Sequence, residues 1–398
     1  MVRKLGAGLE VRGDDMIGVP AHIRAVGMPI VDPLAAGLFV WGQNFVGELG
    51  LGYYGSFPLV TSPVQVGSER DWRIFTEFNN TGSGIRGFVP GSGGRLYRWG
   101  SPGPLDPYPG AIGDGTLNFY NSPVQIGAET DWENVFGASG QSRYVASAGG
   151  IRGGRLFMWG ENGAGQLGLG NRVDRSSPVQ VGAATDWTAG VVSDVLLALR
   201  GGALFACGNN NFGQLGIGNT SRRSSPVQVG SATDWTSVAV NIWGTSFGIR
   251  AGQLYSWGSG SLGTGTSGVR SSPVQVGSET DWTAISVGDG QVIALRGGML
   301  FAWGSNSFGE LGLGDATPRS SPVQVGSETD WTSISAGGQM ASYGIRSGKL
   351  FAWGYGGNYQ LGLGEAHGTI SYSSPVQVGS ETDWKFVKSG SGAAFALR

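Results

Sequence analysis

Short runs of small, β-branched and aromatic residues, separated by Gly, Asn, Ser and Pro, recur along most of this chain. This pattern predicts short β-strands joined by tight turns. No run shows a sustained apolar period of 3.6 residues, so helices should be nearly absent. In one representative unit the pattern predicts four strands, at residues 331–336, 341–346, 349–353 and 375–378.

Three sequence words define a repeat. The word S-P-V-Q-[VI]-G occurs seven times, an Asp-Trp pair follows each copy, and L-[FY]-x-W-G precedes it, with Cys207 replacing the tryptophan in one unit. From Trp41 to Trp353 is 312 residues over six intervals, a mean of 52. Four strands per unit and seven units predict an all-β fold, a single seven-bladed β-propeller with four antiparallel strands in each blade.

The two ends of the repeat region complement each other. The chain ends in Ala-Leu-Arg, which elsewhere is followed by Leu-Phe-x-Trp-Gly, and that missing half lies near the other end, at residues 37–42. We therefore expect the last blade to combine two strands from residues 383–398 with two from residues 37–66, which leaves no exposed sheet edge. This division gives an extended N-terminal arm, residues 1–36, and a propeller, residues 37–398.

Most tryptophans and many charged residues belong to the scaffold. Thirteen of the 14 tryptophans lie on repeat words, where burial explains them without a ligand. Trp243 is the exception, predicted at a hairpin tip as either a surface contact or a plug near the axis. Each Asp of Asp-Trp should meet an Arg at the same end of the neighbouring antiparallel strand. The predicted ion pairs are Asp71–Arg86, Asp131–Arg152, Asp186–Arg200, Asp234–Arg250, Asp281–Arg296, Asp330–Arg346 and Asp383–Arg398.

Composition excludes several classes of protein. Charged residues make up only 14% of the chain and the net charge is -2, which argues against nucleic acid as a partner. One cysteine excludes an internal disulfide framework and a multi-cysteine metal site. No apolar stretch is long enough to span a membrane, and the start lacks the apolar core of a secretory signal. We expect a protein made in the cytoplasm, without membrane insertion.

Catalytic chemistry is poorly represented. The two histidines, His22 and His367, form no zinc-binding pair, and no nucleophile-elbow motif is present. The G-x-G-x-x-G match at residues 163–168 is not followed by a helix, so it predicts a turn rather than a phosphate site. Cys207 replaces a packed tryptophan and should be a buried filler. We expect no enzyme activity, no cofactor and no metal; a paired-carboxylate hydrolase is the alternative that the residues leave open.

The repeat words together resemble a known family. L-[FY]-x-W-G-x-N-x-x-G-[QE]-L-G-x-G followed by S-P-V-Q-V is similar to the regulator-of-chromosome-condensation repeat, over residues 37–398. The resemblance implies a seven-bladed propeller. It does not fix a function, because family members include a guanine-nucleotide exchange factor, a plant photoreceptor and a secreted enzyme inhibitor. The high similarity between the repeats of this chain resembles that of bacterial and bacteriophage members. Where many members carry His-Ser, this chain has Gln141-Ser142, Gln291-Val292 and Gln339-Met340.

We expect a non-enzymatic propeller that binds protein partners through its rim loops and through the arm. An accessory or structural subunit of a larger assembly, such as a bacteriophage virion or tail, would suit this organisation. The alternatives are a regulatory propeller acting on a GTPase and a module that binds a glycan or an enzyme. Tyr, Phe and Arg in the variable loops are the residue types favoured at interface centres. The candidate partner-binding residues are Tyr53, Tyr54, Phe57, Tyr108, Phe119, Tyr120, Arg222, Arg223, Trp243 and Tyr372.

Overall fold

Seven antiparallel sheets make up the computed structural model of the chain. It describes residues 36–55, 59–70, 72, 87–90, 94–100, 113–116, 118–137, 147–241, 243–266, 268–364, 370–390 and 392–398, of which 87–90 are described as backbone only. Six of the sheets have four strands and one has three. Within these residues there is no α-helix, and a short 3-10 turn spans Gly338–Met340.

The strands follow the repeat in chain order. Sheet 1 begins with β1 (Leu38–Gln43) and β2 (Leu59–Gln65). Sheet 2 holds β3 (Gly87–Pro90), β4 (Leu96–Gly100) and β5 (Tyr120–Ile126). Sheet 3 holds β6 (Trp132–Gly137), β7 (Ser147–Arg152), β8 (Arg155–Gly160) and β9 (Arg175–Gln180). Sheet 4 holds β10 (Trp187–Val192), β11 (Val195–Arg200), β12 (Ala203–Gly208) and β13 (Arg223–Gln228).

The second half of the chain continues the same order. Sheet 5 holds β14 (Trp235–Val240), β15 (Thr245–Arg250), β16 (Gln253–Gly258) and β17 (Arg270–Gln275). Sheet 6 holds β18 (Trp282–Val287), β19 (Gln291–Arg296), β20 (Met299–Gly304) and β21 (Arg319–Gln324). Sheet 7 holds β22 (Trp331–Ala336), β23 (Ala341–Arg346), β24 (Lys349–Gly354) and β25 (Tyr372–Gln377). The last strands, β26 (Phe386–Ser389) and β27 (Ala393–Leu397), return to sheet 1.

The predicted joining of the chain ends is confirmed. In sheet 1 the strand order is β2-β1-β27-β26, and Leu38 lies opposite Leu397 across the β1–β27 pair. The backbone N–H of Gly37 donates to the carbonyl of Arg398 over 2.8 Å, and the reverse bond is 3.2 Å. Ordinary ladder hydrogen bonds therefore hold the two ends of the repeat region in one sheet.

The all-β propeller is confirmed, with one difference in strand count. Six sheets show the predicted four strands, whereas sheet 2 has three in the described part of the chain. Its missing strand is the one predicted to start at the Asp-Trp pair of residues 71–72; Trp72 is described, and residues 73–86 lie outside the described residues. The predicted arm lies outside them too, apart from Ala36, which is fully buried.

In sheets 1, 2, 5, 6 and 7 the tryptophan of the L-[FY]-x-W-G word donates a hydrogen bond to the preceding sheet, and in sheet 4 Cys207 takes its place. The indole N–H of Trp257 donates to the carbonyl of Gln214 in the preceding sheet over 2.8 Å, and that of Trp353 donates to Glu310 over 3.0 Å. Trp41 makes the same bond to Gln360 across the chain ends. These indoles are almost completely buried, in hydrophobic clusters that join neighbouring sheets around the ring. Burial and a satisfied N–H make them the main inter-sheet wedges.

A glycine makes room for each wedge. Gly312 has a φ of +73°, and a Cβ at that position would lie 2.9 Å from the indole nitrogen of Trp353. Only glycine tolerates both the backbone conformation and this approach. The glycine-rich turns that match G-x-G-x-x-G therefore serve packing between sheets.

Candidate protein-interaction face

Consecutive antiparallel strands give the propeller two faces with different loops. We call the upper face the end that carries the hairpin tips between the first and second strands, such as residues 241–244, and the turns between the third and fourth strands, such as residues 304–318. The lower face carries the Arg-Gly hairpins between the second and third strands and the connections that end in Asp-Trp. In each four-stranded sheet the Asp-Trp strand is innermost and the S-P-V-Q strand is outermost.

A buried asparagine shapes four of the upper turns, those of sheets 1, 3, 4 and 6. The side-chain amide of Asn306 donates to the carbonyls of Asp315 and Thr317, both at 3.0 Å, and its oxygen accepts from the N–H of Leu311 at 3.0 Å. Asn44, Asn162 and Asn210 make equivalent bonds in their own turns. Because these bonds fix the backbone of the turn, the variable side chains on it are held at defined positions.

Exposed aromatic side chains are concentrated on the upper face. Within the described residues, six large aromatic side chains are exposed, from Trp243 at 61% to Phe45 at 38%. All six lie on upper turns or tips, whereas the aromatic residues near the lower face are buried or half-buried. A surface that presents several aromatic rings from a rigid scaffold is suited to binding a protein partner. The six are Phe45, Tyr53, Tyr54, Phe212, Trp243 and Phe308.

Trp243 and Phe212 form the centre of one aromatic patch. The oxygen of Asn241 accepts from the N–H groups of Trp243 and Thr245, which closes the tip that carries the indole. Gly244 lies against Phe212, since a Cβ there would be 3.4 Å from the phenyl ring. Trp243 was predicted to be either a surface contact or a plug near the axis, and its exposed indole favours the surface contact. We call this pair the sheet 4–5 patch.

Charged groups border the sheet 4–5 patch. Arg222 is exposed and its Nε donates to Asn211 over 3.4 Å. Burial raises the pKa of the nearby Asp194, although hydrogen bonds from Asn209 and Ser193 and the charge of Arg222 oppose the shift. The Asn209 amide donates to Asp194 over 2.7 Å. The patch therefore combines exposed rings with a polar rim, the usual anatomy of a protein interface.

A second aromatic patch joins sheets 1 and 2. The rings of Tyr54 and Phe119 meet edge to face, with centroids 4.6 Å apart. Behind them the buried guanidinium of Arg98 stacks on Tyr120 at 4.1 Å and forms an ion pair with Asp114. This buried ion pair holds the segment that carries Phe119 and Tyr120 against the sheet.

The remaining predicted residues fall into three groups. Tyr53 is exposed beside Tyr54, and its carbonyl accepts from Asn44. Arg223 and Tyr372 are half-buried first residues of outer strands, paired with the last glycine of the preceding strand. Phe57 and Tyr108 lie outside the described residues.

Sequence reasoning missed three of the exposed aromatic residues. Phe45, Phe212 and Phe308 lie inside the N-x-x-G turn that was interpreted as structural. Their signal was variation within a fixed motif: the position of Phe212 and Phe308 is Ala164 in another repeat. A residue that changes type in a turn of constant shape is free to serve binding.

On the lower face the predicted Asp–Arg ion pairs are confirmed in six repeats, with atoms 3.5 to 3.7 Å apart. The seventh, Asp71–Arg86, lies outside the described residues. Each arginine also lies over the Asp-Trp indole and a second aromatic ring; the guanidinium carbon of Arg296 is 4.6 Å from the ring centre of Phe301. A closer acid was not predicted: Glu279 lies 2.9 Å from Arg296.

Groups able to support catalysis are sparse in the described part of the chain. It contains no cluster of three or more His, Cys, Asp or Glu side chains placed to hold a metal ion. Cys207 is fully buried, as expected for a filler, and burial raises the pKa of its thiol. His22 and His367 lie outside the described residues. No helix among the described residues is long and apolar enough to cross a membrane.

Comparison with known proteins gives a family match and several similar folds. A model of the regulator of chromosome condensation (RCC1) repeat matches residues 153–192, 201–240, 251–295, 297–342 and 347–397, more than half of the chain. The chain is 30% identical over 195 residues to the mitochondrial RCC1 domain-containing protein RUG3 of Arabidopsis thaliana. That match covers 46% of this chain and 40% of RUG3, so the chain spans less than half the length of this curated relative.

Solved structures share the fold at lower identity. Prp20p of Saccharomyces cerevisiae, described with its binding to Gsp1p and histones, superposes with a TM-score of 0.76 at 19% identity, over 95% of this chain and 94% of Prp20p. Human WBSCR16 superposes with a TM-score of 0.73 at 19% identity, over 91% of this chain and 98% of that one. At these identities the likeness shows the fold alone.

Proposed function

The chain belongs to the RCC1 repeat family, and from this premise we propose that it is a non-enzymatic propeller that binds protein partners through its upper face. One observation carries the proposal: all exposed large aromatic side chains of the described residues lie on that face. Buried asparagines and ladder hydrogen bonds fix the turns that present them, so little entropy is lost on binding. The sheet 4–5 patch, Trp243 and Phe212 with Arg222 at its edge, is the proposed centre.

The proposed scaffold is a ring of seven complete four-stranded blades. Sheet 2 already contributes three strands, and Trp72 is buried to the same extent as the tryptophan of each other Asp-Trp pair. The ring of Trp72 meets that of Tyr97 edge to face at 5.5 Å, as Trp235 meets Tyr255 in sheet 5. The missing strand would then continue from Trp72.

The test uses a photo-crosslinking residue in place of a surface side chain. With benzoylphenylalanine at Trp243, we expect a discrete protein adduct when the full chain is expressed in its native cell. The matched control carries the same residue at Lys349, which lies on a lower-face hairpin. An adduct with the same protein at both positions, or at Lys349 alone, would contradict upper-face binding.

A second measurement tests the aromatic contribution. Truncation of Trp243 to Ala should lower the affinity for the cross-linked partner by about 2 kcal/mol, which is typical of a central aromatic contact. Truncation of Lys349 to Ala should leave the affinity unchanged. Equal affinities for the wild-type chain and the Trp243→Ala variant would exclude the sheet 4–5 patch as the centre of the interface.

A regulatory propeller acting on a GTPase is the second candidate. Its support is the fold shared with Prp20p, a protein described with its binding to Gsp1p. Accelerated release of a labelled guanine nucleotide from a candidate GTPase would favour it. An unchanged release rate at saturating propeller concentration would leave binding without exchange activity.

An accessory or structural role in a larger assembly is the more specific form of the first proposal. The supporting feature is the 1–36 segment outside the repeat, which we propose docks on a partner chain of an assembly such as a virion or tail. Removal of residues 1–35 keeps every described strand. Loss of assembly with an intact fold would support docking by the arm, whereas unchanged assembly would contradict it.

A further inference from the structure

On the lower face an arginine and a backbone N–H group form a site for a carboxylate, which we call the cradle. A glutamate of the same chain fills the cradle in four repeats, and in two repeats the cradle is open because the glutamate is absent. In four repeats a glutamate two residues before the Asp of Asp-Trp lies 2.9 to 3.0 Å from an arginine Nη1. Those glutamates are Glu129, Glu279, Glu328 and Glu381. In sheets 4 and 5 the same position holds Ala184 and Ala232 instead.

The filled cradle shows how a carboxylate is held. One oxygen of Glu279 lies 2.9 Å from Nη1 of Arg296, and the other accepts from the backbone N–H of Ser278 at 3.0 Å. Backbone N–H groups, chiefly that of Glu279 itself, and Arg296 hold the pKa of this carboxyl below its usual range, against desolvation. The carboxylate covers Gly277, where a Cβ would come within 2.2 Å of it. The cradle thus binds an ionised carboxylate through charge-assisted hydrogen bonds.

The open cradles keep the arginine in the same place. The guanidinium carbon of Arg200 lies 4.3 Å from the ring centre of Phe205, close to the 4.6 Å between Arg296 and Phe301. Arg250 lies in the same way over Trp235 and Tyr255. The aromatic platforms position both guanidinium groups without the glutamate, so each open cradle is preorganised for a carboxylate.

The two open cradles have room for a carboxylate in place of the missing glutamate, and their arginines are exposed to solvent. A Cβ placed on Gly182 or Gly230 would meet no atom within 4 Å, in contrast to Gly277. Grooves of about 360 and 490 Å³ open beside Arg200 and Arg250. A groove of about 540 Å³ also lies beside Glu69, so the exposure of the two arginines, and not the volume of the groove, distinguishes the open cradles. The arginine side chains are 35% and 33% exposed, against 20% to 27% in the four filled repeats. Both grooves are therefore accessible from solvent.

Charge distinguishes the two open cradles from their neighbours. A filled repeat combines an arginine with two carboxylates, whereas Arg200 and Arg250 each have one, at 3.7 and 3.6 Å. A partner carboxylate entering an open cradle would restore the arrangement of the other repeats. A basic partner would meet an arginine there, and a neutral one would leave that arginine without its second acid.

We propose that the neighbouring cradles of sheets 4 and 5 bind glutamate or aspartate side chains of an acidic segment in a partner protein. The partner carboxylate takes the place that Glu279 occupies in its own repeat, between the arginine Nη1 and the backbone N–H of Ala183 or Ser231. Two adjacent cradles let one segment engage both, which raises its effective affinity. This site is on the opposite face from the aromatic patches and does not depend on them.

The test titrates the full ¹⁵N-labelled chain with a synthetic peptide of alternating Glu and Ser. We expect the side-chain Nε–H signals of Arg200 and Arg250 to shift, and those of Arg296 and Arg346 to stay in place. The same peptide with Gln for Glu should give no shift. Absence of any shift at Arg200 and Arg250 with the Glu peptide, or equal shifts with inorganic phosphate, would overturn the proposal.

A designed variant fills both open cradles with the chain's own carboxylates. Ala184→Glu with Ala232→Glu copies the residues of the filled repeats, so the fold should be kept, and we expect affinity for the Glu peptide to fall about tenfold. The control Ser278→Glu with Ser327→Glu adds the same charge beside cradles that are already filled and should bind as the wild-type chain does. Equal losses in both variants would mean nonspecific repulsion and contradict the proposal.

The reverse substitution creates a third cradle. Glu279→Ala should make the Arg296 signal respond to the Glu peptide, and an Arg296 signal that stays silent would count against the proposal. Trp243→Ala should leave peptide binding unchanged. Failure of the upper-face proposal therefore leaves this one standing, and the converse also holds.

Discussion

The upper and lower faces of the propeller are made by the same repeats, yet they differ in what varies. On the lower face the repeated Trp, Arg and Asp residues occupy nearly the same positions from sheet to sheet, and only the glutamate is present in some repeats and absent from others. On the upper face a buried asparagine keeps the turn constant while the residues on it change from Ala164 to Phe308. A fixed backbone therefore allows the side chains to vary from repeat to repeat without a cost in stability, and this variation can give each part of the upper face its own binding properties.

The largest expected effect separates scaffold tryptophans from the exposed one. Trp303→Ala removes a fully buried indole that donates to Ser261 in the preceding sheet, and should lower the free energy of unfolding by about 3–5 kcal/mol. Trp243→Ala should change it by less than about 0.5 kcal/mol, because that indole is exposed. Guanidinium unfolding of both variants measures the difference. Similar losses would mean that the upper tips also carry the fold.

An intermediate effect concerns a buried acid in an upper turn. Glu48 accepts from the N–H of Val46 at 2.6 Å, while its other oxygen is buried without a hydrogen-bond partner. Other repeats have Gln166, Gln214 and Gln360 at this position, and the side-chain oxygen of each accepts the same backbone bond. Because a neutral amide costs less to bury than an ionised carboxylate, Glu48→Gln should raise the free energy of unfolding at neutral pH by about 1 kcal/mol.

The pH dependence of the free energy of unfolding tests whether ionised Glu48 lowers stability. Burial raises the pKa of Glu48, although backbone hydrogen bonds oppose the shift. The folded chain thus holds the proton more tightly than the unfolded chain, so this group lowers stability as the pH rises through the unfolded pKa of about 4.3 toward the folded one. The advantage of Glu48→Gln should shrink as the pH falls below about 4. An advantage that grows in acid would show that Glu48 is stabilised in its ionised form.

The smallest effect lies on the lower face and has the opposite sign. Glu279 has a lowered pKa because backbone N–H groups and Arg296 favour its ionised form, although desolvation opposes the shift. Glu279→Gln should lower the free energy of unfolding by less than about 1 kcal/mol at neutral pH, since the pair is partly exposed and screened. The loss should vanish as the pH falls through the folded pKa and should shrink in high salt. A loss independent of salt would point to packing of the side chain rather than its charge.

Much of the fold followed from the repeat words. The predicted strands at residues 331–336 and 341–346 have the same bounds in the structure, because Trp at the start and Gly-turn signals at the end mark them clearly. The outer strand was predicted at 375–378 but spans Tyr372–Gln377, since its first residues are polar and lie half-exposed on the sheet edge. Local pattern finds buried strands more reliably than outer ones.

The candidate sites were harder to predict because they depend on neighbours from other repeats. Tyr54 and Phe119 were both candidates, but their ring contact requires sheets 1 and 2 to lie side by side. The Asp–Arg pairs were expected from strand register, whereas the glutamate of the cradle was not, because its contact with Arg296 crosses from a loop to a strand. Trp243 left two alternatives that only its exposure could separate.

The sequence by itself determined that the chain repeats, that its strands are short and antiparallel, and that its two ends complete one sheet, because these properties follow from local pattern and register. Only the tertiary structure decided which side chains face solvent and which grooves are open. Those properties depend on atoms brought together in the folded chain: an alanine where another repeat has glutamate leaves Arg200 without a second acid only because the aromatic platform holds its guanidinium at the same place.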